Sequence, residues 1–139
     1  MTKYAIELKD IGLSFAGKTL FKNLNIKLPV NGRVLIRGKS GSGKTTLLRI
    51  MMGFMQPGSG QVLIESQRLQ AGTVWSLRRK LAYVIQDPQL GTDTVDGYLK
   101  QVFAFRANRD KTFNRQEALA LMKQFHLDEN TLEKSGRQL

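Results

Sequence analysis

The sequence predicts an α/β fold, and three observations lead to that prediction. The stretch GKSGSGKTT at 38–46 joins the apolar run RVLI to a segment, beginning at Thr45, whose apolar residues recur at helical spacing. Two further apolar runs, QVLIE at 61–65 and LAYVI at 81–85, have the composition of strands, and the second is apolar on both faces, as buried parallel strands are. From Asp93 onward the pattern becomes helical. Strands are therefore expected on both sides of a glycine-rich loop, and helices after it.

Composition restricts the class of protein. The chain has 139 residues, of which 41% are apolar, so it has single-domain size and can bury a core. It contains no cysteine, which excludes disulfide frameworks and thiolate metal sites. The N-terminus lacks an apolar segment of signal-peptide length, and no apolar run approaches the ~20 residues that span a bilayer. We therefore expect a soluble, cytoplasmic chain.

The charge is strongly positive. Lysine and arginine number 22 against 11 acidic residues, a formal net charge of +11, which favours anionic partners. The positive residues are dispersed, however, and the densest stretches, 76–80 and 105–111, lack the interleaved aromatics of a single-strand nucleic-acid groove. We interpret both stretches as solvated faces and expect no direct binding to nucleic acid.

The elements before the glycine-rich loop predict a β-hairpin. Residues 4–15 and 18–28 both alternate apolar and polar side chains, and the sequence AGK forms the turn between them. The run RVLIRG from Arg33 is then expected to be the strand that leads into the loop. Trp75 is expected to pack a short helix, WSLRRK, onto its neighbours.

The last third is expected to be helical. One helix begins with Asp93 or Thr92 as its N-terminal cap, and a second begins after the capping residue Asn114. The second helix carries apolar residues at helical spacing, which are Leu119, Met122, Phe125 and Leu127.

The glycine-rich loop has the spacing of a phosphate-binding loop. Gly38, Gly43, Lys44 and Thr45 fit G-x-x-x-x-G-K-[ST], with a strand expected before and a helix after. In that geometry Lys44 reaches the β- and γ-phosphates, Thr45 coordinates Mg²⁺ and Thr46 bonds the α-phosphate. Backbone N–H groups and the helix dipole complete the cradle, and the remaining members are Ser40, Gly41 and Ser42. The alternative is a Gly/Ser-rich connector with an incidental lysine.

Taken together, these elements resemble the nucleotide-binding domain of ABC transporters over nearly the whole chain. The hairpin precedes the loop, PGSGQVLIESQRL at 57–69 is similar to that family's antiparallel segment, and LAYVIQDPQL places Gln86 where the family has its Q-loop. The resemblance implies a P-loop NTPase of the ABC ATPase type, with an antiparallel β subdomain, an incomplete parallel core sheet and the start of the helical subdomain. It implies an ATP-binding core over 1–92 and the first part of the helical subdomain over 93–139.

Several site residues follow from the resemblance alone. Phe15 matches the aromatic residue that stacks on adenine, and the alternative is a core aromatic residue at a strand end. Gln86 matches the glutamine that contacts Mg²⁺ and the attacking water, and the alternative is a polar strand cap. Lys44 and Gln86 are thus the expected catalytic residues, Thr45 and Gln86 the expected metal ligands, and ATP and Mg²⁺ the expected cofactors.

The chain ends where the family's signature motif would begin. LEKSGRQL closes the sequence, and the resemblance implies that Leu139 corresponds to the first residue of the family's LSGGQ motif. The strand ending in Asp-Glu and the switch histidine, which belong later in the family's domain, are not part of the sequence. We therefore expect a truncated domain whose ATPase activity is uncertain, because phosphoryl transfer needs both the metal and the nucleophile in position.

The function implied by the resemblance is that of an ATP-binding subunit of an ABC transporter. Its partners would be permease subunits and a second ATPase domain, as homodimer or heterodimer, at the inner face of the cell membrane. The segment 93–109 most resembles small subunits linked to export of metals or drugs. Two alternatives stay open: a soluble ABC ATPase that acts on ribosomes or nucleic acid, and a vestigial, non-catalytic nucleotide-binding fragment.

Overall fold

The computed structural model describes residues 3–15, 17–86 and 91–138, which divide into two compact units, Met1–Tyr83 and Val84–Leu139. The strands are β1 (Tyr4–Phe15), β2 (Lys18–Pro29), β3 (Ser59–Ile64) and β4 (Gln67–Arg68), and the α-helices are α1 (Lys44–Met51), α2 (Val74–Arg78), α3 (Val95–Ala104) and α4 (Arg115–Gln124). Short 3₁₀ turns cover Arg106–Asn108, Glu129–Glu133 and Gly136–Gln138.

The first unit is built on a four-stranded antiparallel sheet with the strand order β2-β1-β3-β4. The predicted hairpin is confirmed, because β1 and β2 pair from Tyr4 opposite Pro29 to Phe15 opposite Lys18. Strand β3 pairs with the other edge of β1, which also confirms the strand expected around 61–65. The alternation of apolar residues in these strands gives the sheet one face that can be covered.

Helix α1 covers that face. Leu8 and Ile11 of β1, and Val62 of β3, form one buried cluster with the helix residues Leu47, Ile50 and Met51. Burial of each such side chain stabilises the fold by about 1.5–3 kcal/mol. The packing fixes α1 against the sheet, and so it fixes the position of the loop that leads into the helix.

A close approach in the sheet requires glycine at position 60. Gly60 has φ +85°, and a Cβ atom there would lie 2.4 Å from the carbonyl oxygens of both Lys9 and Asp10. The β1–β3 register shifts between Lys9 and Gly12, beside this contact. Only a residue without a side chain allows the two backbones to come so near each other.

Two of the expected strands are not formed. Residues 33–37 and 81–85 have no strand assignment, and no parallel strand pair occurs among the residues that the structure describes. Leu35 is 71% exposed and Val84 is 92% exposed. Runs that are apolar on both faces are stable as strands when neighbours supply ladder hydrogen bonds and cover both faces. The described residues neither form ladder hydrogen bonds with these two runs nor cover both of their faces. The predicted parallel sheet is therefore not formed among the described residues.

Helix α2 is anchored differently from the expectation. Trp75 is 74% exposed, so it does not pack the helix onto its neighbours, whereas Leu77 is fully buried and does. Arg78 adds a second anchor: its Nε donates to the Met52 carbonyl at 3.1 Å and its Nη2 donates to the Gly53 carbonyl. These carbonyls lie at the C-terminal end of α1, where a positive charge is favourable.

The second unit contains α3 and α4. The cap of α3 is Thr94, whose hydroxyl accepts from the Gly97 N–H at 3.1 Å, so the expected caps Asp93 and Thr92 were wrong by one or two residues. The Asp93 carbonyl instead accepts from the Gly136 N–H. The predicted cap Asn114 is confirmed, since its side chain accepts from two N–H groups of the first turn of α4.

An ion-pair network joins the helices of this unit. The carboxylate of Asp96 contacts Lys100 at 2.5 Å and Arg115 at 3.0 Å, and Arg115 also binds Glu133 at 2.8 Å. The hydrogen bond from Lys100, together with the charge of Arg115, lowers the pKa of Asp96 below its usual value.

Across the described ranges, no helix combines the length and the apolar character that a membrane crossing requires.

Candidate nucleotide-binding site

The phosphate-loop sequence turns through two left-handed residues before α1 begins. Gly41 has φ +75° and Gly43 has φ +93°, a region that glycine enters without strain. Gly43 is the N-cap of α1, and a Cβ atom on it would meet Phe21 and Leu20 of the hairpin at 2.9–3.0 Å. The sequence therefore places glycine where the loop turns and where it passes close to the sheet.

The start of α1 leaves backbone donors available. Within the described part of the chain, the N–H groups of Gly43, Lys44, Thr45 and Thr46 have no hydrogen-bond partner, as expected for a first helical turn. The first turn contains no acidic residue. An anion is favoured at this point by the free donors and by the helix dipole together.

One expected donor is already used inside the loop. The N–H of Ser42 donates to the Lys39 carbonyl at 3.2 Å, whereas Ser40 and Gly41 lie in the exposed turn. A Cβ atom on Gly38 would lie 2.6 Å from the Ser42 hydroxyl, which would have to rotate away to make room. The described loop therefore offers one free N–H donor fewer than the predicted run from Ser40 to Thr45.

Lys44 bridges the loop rather than extending away from it. Its ammonium donates to the Gly38 carbonyl at 2.8 Å and to the Lys39 carbonyl at 2.9 Å. An ammonium carries three donors, so these two bonds leave one proton free. The arrangement holds the positive charge over the loop where a polyphosphate would lie.

Phe15 and the loop line one cavity. Phe15 ends β1 with 75% of its surface exposed, which is inconsistent with the alternative of a core aromatic residue. A cavity of about 360 Å³ is lined by Phe15, by Gly41 of the loop and by Thr46 of α1. An aromatic face and a phosphate cradle in one cavity match the two ends of a nucleoside triphosphate.

Two further residues of this cavity were not predicted. Lys18 lies directly opposite Phe15 across the hairpin, and Arg49 lies one turn beyond Thr46 on α1. The sequence did contain the signal, because a tight hairpin pairs residues 15 and 18, and positions i and i+3 share a helix face. The remaining side chains of the cavity are apolar, and they are Leu13, Leu20 and Met55.

The two expected metal ligands belong to different units, Thr45 to the first and Gln86 to the second. Thr45 is exposed in the first turn of α1, where its hydroxyl is a suitable Mg²⁺ ligand once phosphate oxygens and waters complete the shell. Gln86 is exposed at a bend in the second unit, and the Asp87 to Leu90 part of the predicted Q-loop lies outside the described residues. Among those residues, no group of three or more His, Cys, Asp or Glu side chains is arranged to hold a metal ion.

Known proteins are similar to this chain in sequence. The Fe(3+) ions import ATP-binding protein FbpC of Serratia marcescens is 35% identical over 120 residues, which is 84% of this chain and 34% of that protein. The mitochondrial iron-sulfur clusters transporter atm1 of Neurospora crassa is 37% identical over 92 residues, 66% of this chain and 13% of that one. The chain therefore spans about a third or less of the length of these two relatives.

A solved structure has the same fold as this chain. The dimeric structure of an ATP-binding cassette in a post-hydrolysis state, bound to ADP and Pi, superposes with a TM-score of 0.74 and 26% identity over 96% of this chain and 62% of that chain. The ABC transporter family model matches residues 21–139. Because that match covers most of the sequence, the chain belongs to the ABC transporter family and contains the phosphate-loop part of its ATP-binding domain.

Proposed function

We propose that this chain binds Mg·ATP in the cavity between Phe15 and the phosphate loop, and that it serves as the ATP-binding part of an ABC transporter. The observation that supports this proposal is the shared cavity: Phe15, Gly41 and Thr46 line about 360 Å³ of the first unit. The adenine would stack on Phe15, and the triphosphate would lie along the loop towards the free N–H groups of α1.

The protein's own groups have distinct tasks in this proposal. Lys44 neutralises the phosphates, and the first turn of α1 binds their oxygens through backbone donors. Thr45 would hold Mg²⁺, which supplies charge neutralisation between the phosphates when it is bound. Gln86 is proposed, on the family resemblance, as the residue that contacts the metal and the attacking water.

Coupling to a membrane partner belongs to the same proposal. Relatives are named as import ATP-binding proteins and as transporters, and a dimeric ATP-binding cassette has the same fold. We infer that permease subunits and a second ATPase domain are the partners, with the chain peripheral at the inner face of the membrane. Metals or drugs are the proposed cargo, and export is the proposed direction of transport. Deletion of the gene should then reduce the tolerance of the cell to metal salts or drugs. Unchanged tolerance to both would contradict the proposed cargo and direction.

The rival function on nucleic acid receives less support from the structure. In the dense basic stretch 76–80, Arg78 donates to two carbonyls and Lys80 pairs with Glu65. Cations that are engaged within the protein contribute less to a phosphate-backbone contact than free ones. The stretch is thus better explained as part of the fold.

Titration calorimetry with Mg·ATP tests the nucleotide proposal. Lys44→Ala should weaken binding about 10- to 150-fold, because a charge-assisted contact contributes about 1.5–3 kcal/mol. Lys22→Ala is the matched control, since Lys22 is an exposed lysine of the β1–β2 hairpin that does not line the cavity. Equal affinities of the wild type and Lys44→Ala would contradict the proposal.

A further inference from the structure

We propose that the first unit contains a further binding site, a cavity lined by α1, β3, β4 and α2, and that this site binds a small carboxylate with an apolar body. The cavity has a volume of about 340 Å³, at the lower end of the range for small-molecule sites. It shares only Met55 with the cavity proposed for the nucleotide, and none of its charged residues. The inference therefore does not depend on nucleotide binding.

The wall of this cavity is largely apolar. Ile50 of α1 and Val62 of β3 line it, and both also pack in or against the buried cluster between α1 and the sheet, which holds this wall in place. An apolar group that displaces water from such a wall is bound favourably. The other apolar side chains of the lining are Met55, Pro57, Leu69, Ala71 and Val74.

Arg78 brings a positive charge to the cavity. Its guanidinium donates to the Gly53 carbonyl, and both residues line the cavity. The bonds to the carbonyls of Gly53 and Met52 use two of the five N–H donors of the guanidinium, so other donors remain for a ligand. These bonds also order the half-buried side chain, so an anion that binds to it has little side-chain entropy to remove.

The other polar lining residues have side chains without partners. Within the described residues, neither the Arg68 guanidinium of β4 nor the half-buried Gln61 amide of β3 makes a hydrogen bond, an ion pair or a ring contact. None of the described residues that line the cavity is acidic. Two arginines without a carboxylate favour an anion, and the planar guanidinium matches a carboxylate group. A carboxylate on an apolar body thus suits both parts of the lining.

The competing explanation is that the cavity holds water and that Arg78 serves only to anchor α2. Under that explanation, a carboxylate would bind no better than an amine of the same length. Filling the cavity would also leave the affinity for both probes unchanged. The charge of the probe and the space in the cavity are therefore the two quantities to vary.

The test is a calorimetric titration of the 139-residue chain with octanoate, octanol, octylamine and acetate. Octanoate should bind at least about tenfold more tightly than octylamine, which has the opposite charge, and than acetate, which lacks the apolar body. Saturating Mg·ATP should leave the affinity for octanoate unchanged. Displacement of octanoate by Mg·ATP would place the carboxylate in the nucleotide cavity and overturn the proposal.

Variants locate the site without disturbing Arg78. Ala71→Phe, which fills the cavity from an exposed position, should weaken octanoate binding at least about tenfold. Gln67→Phe is the matched control, because Gln67 is exposed on β4 and does not line the cavity. Arg68→Gln should weaken octanoate binding about two- to fivefold, as expected for an exposed charge, and leave octanol binding unchanged. Equal binding of octanoate and octylamine, or equal affinities of Ala71→Phe and Gln67→Phe for octanoate, would overturn the proposal.

Discussion

Arg78 connects two helices of the first unit, and its removal should destabilise that unit strongly. The half-buried guanidinium donates to the carbonyls of Met52 and Gly53, just beyond the end of α1. It also lies over the rings of Phe54, at 4.7 Å, and Trp75, at 5.4 Å. Arg78→Ala removes all four contacts at once.

The magnitude follows from these contacts. Hydrogen bonds from a charged donor contribute about 1.5–3 kcal/mol each, and each ring contact near the surface adds about 0.5–1 kcal/mol. Ordering the long side chain costs up to about 2 kcal/mol. The net loss should be about 2–6 kcal/mol, which corresponds to a decrease in Tm of roughly 8 °C or more for a unit of this size.

Thermal unfolding followed by circular dichroism measures the loss. Arg78→Lys should recover part of the stability, because it keeps the charge at the end of α1 but lacks the planar guanidinium that stacks on the two rings and donates through separate nitrogens. Lys22→Ala serves as the control for loss of an exposed positive charge. If Arg78→Ala unfolds at the temperature of that control, the reasoning about Arg78 is refuted.

Three smaller predictions follow from local geometry. Gly60→Ala should cost at least about 2 kcal/mol of unfolding free energy, because a Cβ atom would meet two carbonyl oxygens at a positive φ. Gly72→Ala, which places its Cβ atom in open space, should change the unfolding free energy by less than about 0.5 kcal/mol. Similar losses for both variants in urea unfolding would contradict the close approach at Gly60. Asn114→Ala should cost about 1 kcal/mol through loss of the cap of α4, and an unchanged unfolding midpoint would contradict that role. The hydrogen bond from Lys100 lowers the folded pKa of Asp96, so the stability that Asp96 contributes is present above its unfolded pKa of about 3.9 and is lost as the pH falls through the folded pKa. Acid unfolding titrations below about pH 4 should therefore show a weaker pH dependence of the unfolding free energy for Asp96→Asn than for the wild type. Equal slopes would contradict this role of Asp96.

Local signals in the sequence predicted well those elements whose stabilising contacts are near in sequence. The hairpin and the Asn114 cap depend on alternation and on one side chain that bonds its own helix turn, so short stretches contain the information. Helix α1 was predicted from its spacing, and its burial against β1 and β3 agrees with that spacing.

The failures have a common physical cause, which is dependence on partners distant in sequence. Residues 33–37 and 81–85 have strand composition, but a strand forms only where a neighbour pairs with it, and no described residue does so. Trp75 was expected to be packed because it is large and apolar, yet Arg78 contacts its ring and Leu77 provides the burial. The participation of Lys18 and Arg49 in the cavity required the hairpin register and the helix face to be combined, and composition alone could not do that.

If Phe15 and the phosphate loop bind one nucleotide between them, the variant Phe15→Ala should lose affinity for the base and keep affinity for the phosphates. Calorimetric titration should show that the variant binds Mg·ATP about 5- to 150-fold more weakly, since stacking of a base contributes about 1–3 kcal/mol, while its affinity for tripolyphosphate is unchanged. Phe125→Ala, which removes an aromatic ring that is 67% exposed in the second unit, should alter neither affinity. Equal weakening of ATP and tripolyphosphate binding by Phe15→Ala, or no weakening of either, would show that Phe15 does not stack on the bound base.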